Sequence, residues 1–447
     1  MPTPLDELST AQINAIQTHP LHQQGFHTII TLIRQLRQCE SQADLYDFQQ
    51  VLLDELLTIE EHRLKCSRVV KRLERGRSVP ADAVALVGTG DPQQLATWHL
   101  EHDVCARVSR QLRCVGDALA WRAFDYQRNF VLVLSRNQPP GPMAGKAGLL
   151  AERAFLTRTW RDDGHFAIMH DLTSCLRIGD ASVFMPGFVR LEEIKTNNEH
   201  RTTAQNNRIR TAGEALRNAA PMPTGQVLVK IDVPYRTHLD VLREVLDLAY
   251  QRGLQRAQVP GGRALVAGNL FTAPDLWSEE EFGRRFTAAM QTAKRQARIV
   301  HGHEITLKSV DQIGRSPVTP PWAIYPLSAE MCASLIVDAA FFYVSMSSTH
   351  ILDALAGHGL RAEWLQPLDE HTDRMVPLLQ IDRVISRRPG VTNVGRVTMN
   401  FAELNRLLLE LVDLDVWAQH VDTMLARTDL DGVSPWPYFV DEWTVWA

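Results

Sequence analysis

Apolar residues in the first third of the chain recur every three or four positions, as on one face of an α-helix. Two such series run from about Thr10 to Arg77 and from about Pro92 to Arg136. Charged residues such as Glu60 fill the other positions of the first series, which predicts solvent-exposed faces of a helical bundle. The sequence therefore predicts a helical region over residues 1–140.

The periodicity changes after Asn137–Gly148, a Pro- and Gly-rich segment that predicts a linker. A helix is predicted at Leu149–Trp160, and shorter apolar runs typical of strands follow it. These runs are His165–His170, Cys175–Phe184, Val189–Lys195 and Val227–Val233. We expect the last of them to close a core sheet, which the helix Leu239–Gln251 and the strand Ala264–Phe271 extend.

Pro186-Gly187 separates the second and third strand-like runs and predicts a hairpin turn. With this pair at the centre of the turn, Asp180 lies opposite Glu193, and opposed side chains have Cβ atoms roughly 5 Å apart. Glu193 and Lys195 are two positions apart, so they share one face of their strand. Two close carboxylates repel each other unless a cation lies between them. The hairpin therefore predicts a cation site.

Carboxylate oxygens and water are the ligands that Mg²⁺ prefers. An ion bound by Asp180 and Glu193, with the Ile194 carbonyl as a further ligand, would activate a water molecule and neutralise charge on a phosphoryl group. Lys195 would orient or deprotonate that water, or stabilise the transition state. The alternative is a surface hairpin with ordinary exposed charges, because an Asp…Glu-x-Lys pattern is common.

The arrangement resembles the PD-(D/E)xK, or restriction-endonuclease-like, superfamily of nucleases over about Gly145–Val233. Asp180 matches the metal-binding aspartate of that signature, Glu193 its second acidic residue and Lys195 its lysine, whereas Gly179 replaces its proline. The resemblance implies an α/β fold with a restriction-endonuclease-like mixed-sheet core flanked by helices. It also implies Mg²⁺ as the cofactor, with Mn²⁺ as a substitute.

Two further residues match patterns found within the superfamily. Glu152 lies in the first turns of the helix before the first strand, where nuclease-related (NERD-like) domains carry a glutamate that completes the metal site. Its alternative role is that of a surface glutamate favouring a helix N-terminus. Gln205 shares a helix face with Ile209 and Leu216, so we expect it to point inward, as a glutamine does in several of these nucleases. Some branches have a tyrosine where this chain has Ile209.

The net charge of −5 argues against a generally basic nucleic-acid-binding surface. Any such contact must come from a local patch. Four arginines around the Gln205 helix form a candidate phosphate-facing strip, although a solvated helix face is the alternative. They are Arg201, Arg208, Arg210 and Arg217.

The start of the chain shows neither a basic nor an apolar signal-peptide segment. The most apolar run, Met331–Met346, is interrupted by Asp338 and is shorter than the roughly 20 residues of a membrane span. The six cysteines are scattered without a CxxC motif, which predicts reduced thiols rather than a disulfide framework or zinc site. These features favour a cytoplasmic protein without a membrane partner.

The predicted organisation has three parts. A helical region spans residues 1–140, a PD-(D/E)xK nuclease-like domain residues 141–275, and a mainly helical α/β region residues 276–447. The last region is expected to contain one long amphipathic helix at Phe401–Leu425 and an aromatic tail. Either terminal region could bind a protein partner.

The sequence thus predicts a metal-dependent nuclease that hydrolyses phosphodiester bonds in DNA or RNA, with DNA as the first expectation, in genome defence or nucleic-acid processing. A second interpretation is a catalytically inactive module on the same fold that binds nucleic acid or protein. A third is a helical interaction protein in which the hairpin is only structural. The predicted site consists of Glu152, Asp180, Glu193, Lys195 and Gln205.

Overall fold

The structure is a computed structural model that describes most of the chain. The described residues are 8–136, 138–194, 203–218, 226–299, 304–310, 319–365, 379–388, 391–399, 401–427, 434–439 and 441–447. Within them the protein is mixed α/β, with sixteen α-helices and several small sheets. In this part of the chain, no helix combines the length and apolar character needed to cross a membrane.

The chain forms two compact units. The first contains the described residues of Met1–Pro223 together with Pro321–Tyr325. Its helices are α1 (Thr10–Gln17), α2 (Pro20–Gln38), α3 (Gln42–Leu73), α4 (Ala81–Val84), α5 (Leu95–Ala123), α6 (Arg128–Leu134), α7 (Leu149–Asp163) and α8 (Thr203–Asn218). Its strands are β1 (Ala167–Met169), β2 (Ala181–Met185) and β3 (Phe188–Glu192).

The second unit contains the described residues of Thr224–Gln312, Val318–Pro320 and Pro326–Ala447. Its strands are β4 (Gln226–Ile231), β5 (Leu254–Val259), β6 (Arg263–Asn269), β7 (Glu304–Lys308), β8 (Ala340–Ser347), β9 (Arg361–Trp364), β10 (Leu379–Arg388), β11 (Val391–Met399) and β12 (Ser434–Phe439). Its helices are α9 (Leu239–Arg252), α10 (Ala273–Leu276), α11 (Glu279–Gln296), α12 (Ala329–Ile336), α13 (Ser348–Gly357), α14 (Phe401–Leu408), α15 (Leu414–Leu425) and α16 (Trp443–Trp446).

The long helices α3 and α5 form the core of the first unit. Leu52 and Leu53 of α3 and Val104 of α5 are fully buried, as the helical periodicity predicts. Ser41 caps α3 with a capping box. Glu60 was predicted to lie on a solvent-exposed helix face. It is instead buried and hydrogen-bonded.

A three-stranded antiparallel sheet, in the order β1-β2-β3, lies in the same unit. The three strands occur where they are predicted, but each is shorter than its apolar run. Asp180 consequently lies immediately before β2 rather than within it, and Glu193 lies immediately after β3.

The predicted extension of this sheet is wrong. Strand β4 pairs in parallel with β12, and β6 belongs to an antiparallel sheet in the order β5-β6-β8-β7. Alternating apolar residues establish that a segment is a strand, but they do not specify its partner. The run Val227–Val233 could therefore not be assigned to a sheet from its own pattern.

The predicted long helix Phe401–Leu425 is also wrong, because two helices, α14 and α15, occupy this segment. Leu411 has a positive φ of 50° between them, which ends the first helix. Asp413 then caps α15 by accepting hydrogen bonds from the amides of Asp415 and Val416. A cap within an apolar periodic segment marks a new helix start.

The predicted linker Asn137–Gly148 lies within the first compact unit. Met143 is completely buried and Ala144 nearly so, and both amides donate to the Glu60 carboxylate, at 2.6 and 3.0 Å. The described residues of this segment are therefore held by the helical bundle. The division into three domains at residues 140 and 275 stays a prediction.

Candidate active site

The β2–β3 hairpin has the predicted register. Met185 pairs with Phe188 across the turn, and Ala181 pairs with Glu192 at the other end. Gly187 has a φ of 80°, which only glycine adopts readily. Beyond the last regular pair, the Asp180 amide donates to the Glu192 carbonyl at 2.7 Å. The hairpin thus brings the chain at Asp180 beside the residues that follow β3.

The Asp180 carboxylate ties the two ends of the hairpin together. Its Oδ2 accepts a hydrogen bond from the Ile194 amide at 2.6 Å. Burial raises the pKa of Asp180 to about 6, and the charges of Glu193 and Glu152 add to this increase. The Ile194 hydrogen bond and the Lys146 charge oppose it. Burial is therefore the main factor that disfavours the charge of Asp180, and its acidic neighbours add to it.

Gly179 stands where the signature that the hairpin resembles has a proline. It has a φ of 80°, and a Cβ at this position would lie 2.8 Å from the Glu192 carbonyl oxygen. Proline fixes φ near −65° and cannot adopt this conformation. Glycine here allows the chain to approach β3 just before Asp180.

His170 holds the same loop from the other side. Its amide donates to the Asp180 carbonyl at 2.9 Å, and its ring Nδ1 donates to the Gly179 carbonyl at 3.0 Å. Nε2 then accepts from the Ser182 hydroxyl at 2.7 Å. Burial lowers the pKa of His170 to about 4, and the Arg177 charge also lowers it. His170 is a neutral positioning residue for Asp180.

Gln205 points inward, as the periodicity of its helix predicts. Its side-chain Nε2 donates to Glu193 Oε1 at 2.7 Å. Ala212, two turns farther along α8, is completely buried on the same face. The helix therefore positions the second acidic residue of the predicted site.

Glu152 is buried within the first turn of α7, with only 2% of the residue exposed. Its Oε1 lies 2.6 Å from Lys146 Nζ, and its Oε2 is buried without a hydrogen-bond partner. The alternative of a solvated surface glutamate is therefore wrong. Leaving a buried carboxylate oxygen unpaired costs stability, and a bound cation would remove that cost.

Lys146 and Asp171 are the residues that sequence reasoning missed. Lys146 Nζ lies 2.6 Å from both Glu152 Oε1 and Asp171 Oδ2. Burial lowers the pKa of Lys146, but its bonds to Asp171 and Glu152 outweigh burial and raise it overall. Lys146 is therefore a fixed positive charge beside the acidic groups.

No sequence pattern near Lys146 predicts this role. Its segment is anchored by Glu60, more than 80 residues earlier, through the amides of Met143 and Ala144. Arg113 pairs with Glu60 at 2.6 Å and donates to the Gly141 carbonyl at 2.9 Å. These long-range contacts give a Pro- and Gly-rich segment a defined position.

Lys195 and Arg201 lie outside the described residues. The predicted role of Lys195 in orienting or activating water therefore stays a prediction. Of the five predicted site residues, Asp180, Glu193, Gln205 and Glu152 are connected by hydrogen bonds or by electrostatic coupling.

The donor set at this site suits Mg²⁺, which prefers carboxylate oxygens. A cation would pair with the unpaired Glu152 Oε2 and would favour the charged form of Asp180, whose pKa is raised chiefly by burial and further by Glu193 and Glu152. The carboxylates do not form a closed cage, however. In the described part of the chain, the one group of three metal-ligating side chains with atoms within 4.8 Å of one another lies elsewhere, at His62, Cys66 and Cys105.

A groove of about 300 Å³ lies between β3 and α8 in the first unit. Three arginines line the groove: Arg190, Arg210 and Arg217. The other lining residues are Phe188, Val189, Leu191, Ile209 and Gly213. Arg190 pairs with Glu192 at 2.6 Å, and Arg210 pairs with Glu214 at 2.9 Å. The groove is therefore basic but partly neutralised.

Comparisons with known proteins give no relative. No protein-family model, curated protein or solved structure matches the chain. The resemblance to the PD-(D/E)xK superfamily consequently depends on the residues and geometry of the hairpin site alone.

Proposed function

We propose that the protein is a metal-dependent nuclease of the PD-(D/E)xK type that hydrolyses phosphodiester bonds in nucleic acid. The supporting observation is the convergence of three elements on one acidic site. The β2–β3 hairpin supplies Asp180 and Glu193, α7 supplies the buried Glu152, and α8 supplies Gln205. In the same proposal, β1–β3 with α7 and α8 would form the restriction-endonuclease-like core, without β4 as its closing strand.

A divalent cation bound by Asp180, Glu193 and Glu152 would activate water and neutralise charge on the scissile phosphate. The chain's own groups hold these ligands in place. The Ile194 amide fixes Asp180 Oδ2, and Gln205 fixes Glu193 Oε1. Preorganised ligands of this kind reduce the reorganisation that a reaction requires.

The site also needs a group that handles the proton of the attacking water. Lys195 follows Glu193 by two residues and is the proposed group. Lys146 is less suited to act as a base, because its two carboxylate partners raise its pKa. Its proposed role is to limit repulsion between Glu152 and its acidic neighbours. The arginine-lined groove beside α8 would contact the nucleic-acid backbone.

One observation favours the second function, an inactive module on the same fold that binds nucleic acid or protein. Lys146 already neutralises Glu152 and Asp171, and the predicted carboxylates do not form a group within 4.8 Å in the described chain. An internal cation in this position would allow the fold to persist without a metal ion.

Cleavage assays separate these functions. Wild type should cleave at least one of four substrates, single- or double-stranded DNA or RNA, only when Mg²⁺ or Mn²⁺ is present. We expect Asp180→Asn, Glu193→Gln and Lys195→Ala each to lower the rate by roughly 10²–10⁴-fold. Salt-dependent binding without cleavage would instead support the inactive module.

Glu192→Gln is the matched control. Glu192 is the neighbour of Glu193 but pairs with Arg190, and successive strand residues point to opposite faces. Its substitution should leave the rate within about threefold, which is the effect of a change under 1 kcal/mol. Equal activity of wild type and Lys195→Ala on every substrate would contradict the catalytic proposal.

A further inference from the structure

A second cluster of ligating side chains lies in the first unit, between α3 and α5. Each helix contributes two residues four positions apart, which places them on one helix face. We call them the α3–α5 cluster: His62 and Cys66 on α3, and Glu101 and Cys105 on α5. Their alignment depends on the packing of two helices, so the scattered cysteines of the sequence did not reveal it.

The ligand atoms of this cluster lie close together in the protein interior. A ring nitrogen of His62 and the sulfur atoms of Cys66 and Cys105 are all within 4.8 Å of one another. Glu101 Oε2 lies 3.5 Å from His62 Nε2. Two ligands placed 2.0 Å from a tetrahedral zinc ion are separated by roughly 3.3 Å. The oxygen and nitrogen are thus spaced as neighbouring ligands of one ion.

Two atoms of the cluster are buried without a hydrogen-bond partner, and they face each other. They are His62 Nε2 and Glu101 Oε2. Glu101 is completely buried, and its Oε2 meets the His62 ring at 3.5 Å without a hydrogen bond, which leaves part of its desolvation cost uncompensated. A cation between these two atoms would satisfy both.

The surroundings hold the two ligands in orientation. The other Glu101 oxygen, Oε1, accepts hydrogen bonds from His19 Nε2, at 3.0 Å, and from the Gly88 amide. The His62 ring lies beside the Cys66 thiol and the backbone of Leu86. Partners of this kind commonly orient the ligands of a metal ion.

The donor types select the metal. Two cysteines and a histidine favour Zn²⁺ over Mg²⁺, which prefers oxygen ligands. Three ligands lie within 4.8 Å of one another, and Glu101, whose Oε2 faces His62, would be the fourth. A closed set of four protein ligands is typical of structural zinc. We propose that the α3–α5 cluster binds a structural Zn²⁺ ion that links the two longest helices of the first unit.

Neither thiol of the cluster is in a disulfide bond. Cys66 and Cys105 are both free cysteines. Zinc requires thiolate ligands, whereas oxidation of this pair would produce a disulfide that excludes the metal.

The first test measures metal in the full-length wild-type protein. The chain is expressed with added zinc, purified without chelator and analysed by plasma mass spectrometry. We expect about one zinc ion per chain, as for a four-ligand structural site. Replacement by Co²⁺ should give sulfur-to-cobalt charge-transfer absorption and the intense visible bands of tetrahedral cobalt. Absence of zinc together with absence of these bands would overturn the proposal.

Variants then assign the ligands. Cys66→Ser and Cys105→Ser should lose the charge-transfer band and most of the zinc, and Glu101→Gln should weaken zinc retention against a competing chelator by at least tenfold. Cys39→Ser is the control, because Cys39 is equally buried but donates only to the Gln35 carbonyl.

Two results would contradict the assignment. One is unchanged zinc content and cobalt absorption in both cysteine variants, since the metal would then be bound elsewhere. The other is a Cys66–Cys105 disulfide in intact wild-type protein purified without reductant. The metal content of the wild-type protein is measured first and does not depend on the variants. The proposal can therefore still be rejected if a cysteine variant fails to fold.

Discussion

The hairpin site and the α3–α5 cluster combine acidic or thiol ligands in different ways. The hairpin site gathers carboxylates from several chain segments and contains an internal cation, Lys146, bonded to Glu152 and Asp171. The α3–α5 cluster contains two thiols, an imidazole and a buried carboxylate, two of whose atoms lack hydrogen-bond partners. We expect the internal lysine to let the first site fold without metal. We expect the α3–α5 cluster to depend more on a bound ion for stability.

The largest expected effect follows from removing each proposed metal separately. Extraction of zinc with dipicolinic acid should lower the melting temperature by about 10 °C, because several kcal/mol are lost at roughly 2–4 °C per kcal/mol. Omission of Mg²⁺ should change it by less than about 2 °C, since weak binding stabilises little, but should abolish cleavage. Calorimetry and the cleavage assay measure the two effects.

The proposed difference between the two sites is contradicted if zinc extraction and Mg²⁺ omission change the melting temperature equally or in the reverse order. If zinc extraction leaves the melting temperature unchanged but omission of Mg²⁺ lowers it by many degrees, the hairpin site would be the structural metal site. Readdition of Zn²⁺ after extraction is the control, because it should restore the melting temperature of an intact chain.

The second effect tests Lys146 as the internal cation. Lys146→Met should lower the free energy of unfolding by about 1–3 kcal/mol, because it leaves Glu152 and Asp171 without their shared partner. Arg153→Met is the control on the same stretch of chain. Arg153 pairs with Asp54 at 3.1 Å, but both side chains are at least 40% exposed, so its loss should cost under about 1 kcal/mol.

Urea unfolding in buffer without divalent cations measures both variants. Equal effects of Lys146→Met and Arg153→Met would show that Lys146 is an ordinary surface charge. Addition of Mg²⁺ should recover part of the stability of Lys146→Met, because the vacated carboxylates then attract the metal ion.

Local rules in the sequence predicted the centre of the hairpin site. The Pro186-Gly187 turn determined the β2–β3 register, and helical periodicity turned Gln205 toward Glu193. Both depend on residues close in sequence. Lys146 was missed because its position depends on Glu60 in a distant helix.

Contacts between residues distant in sequence also explain the wrong prediction for β4 and the missed α3–α5 cluster. The strand β4 was recognised from its apolar run, but its partner β12 is some 200 residues later and had no visible signal. The α3–α5 cluster did have a local signal, since His62 and Cys66 are four residues apart, as are Glu101 and Cys105. Only the packing of α3 on α5 reveals that the two pairs meet.

The third effect concerns His170, which positions the Asp180 loop. Its pKa of about 4 in the folded protein lies below the ordinary value of 6.5, chiefly because of burial. The stability that it contributes is therefore present above pH 6.5 and decreases as the pH falls toward 4. Between pH 7.5 and 5, wild type should lose about 2 kcal/mol that His170→Gln does not lose.

Urea unfolding of both proteins at the two pH values gives this difference directly. Glutamine retains a donor for the Gly179 carbonyl, and every other histidine is present in both proteins, so the comparison isolates His170. An identical pH dependence of the two proteins would contradict a neutral, buried His170.

The smallest effect concerns Asp180 and has the opposite sign. Its pKa of about 6 lies above the ordinary value of 3.8, chiefly because of burial, with Glu193 and Glu152 adding to the increase. The folded protein holds this proton more tightly than the unfolded chain does, so stability falls as the pH rises from about 4 to 6. In metal-free buffer at pH 8, Asp180→Asn should therefore be more stable than wild type by about 1–2 kcal/mol, allowing for partial solvent screening.

This advantage should mostly vanish at pH 4.5, where wild-type Asp180 is largely protonated. It should also shrink when Mg²⁺ is added at pH 8, because the ion stabilises the wild-type carboxylate and cannot bind asparagine as strongly. Urea unfolding in the three buffers measures the effect, and Glu192→Gln serves as the control. A variant that is stabilised at pH 8 but inactive would show that the protein maintains the Asp180 charge at a cost to its own stability. A variant that is destabilised at pH 8 would instead make Asp180 a structural residue and remove the main argument for a metal at the hairpin.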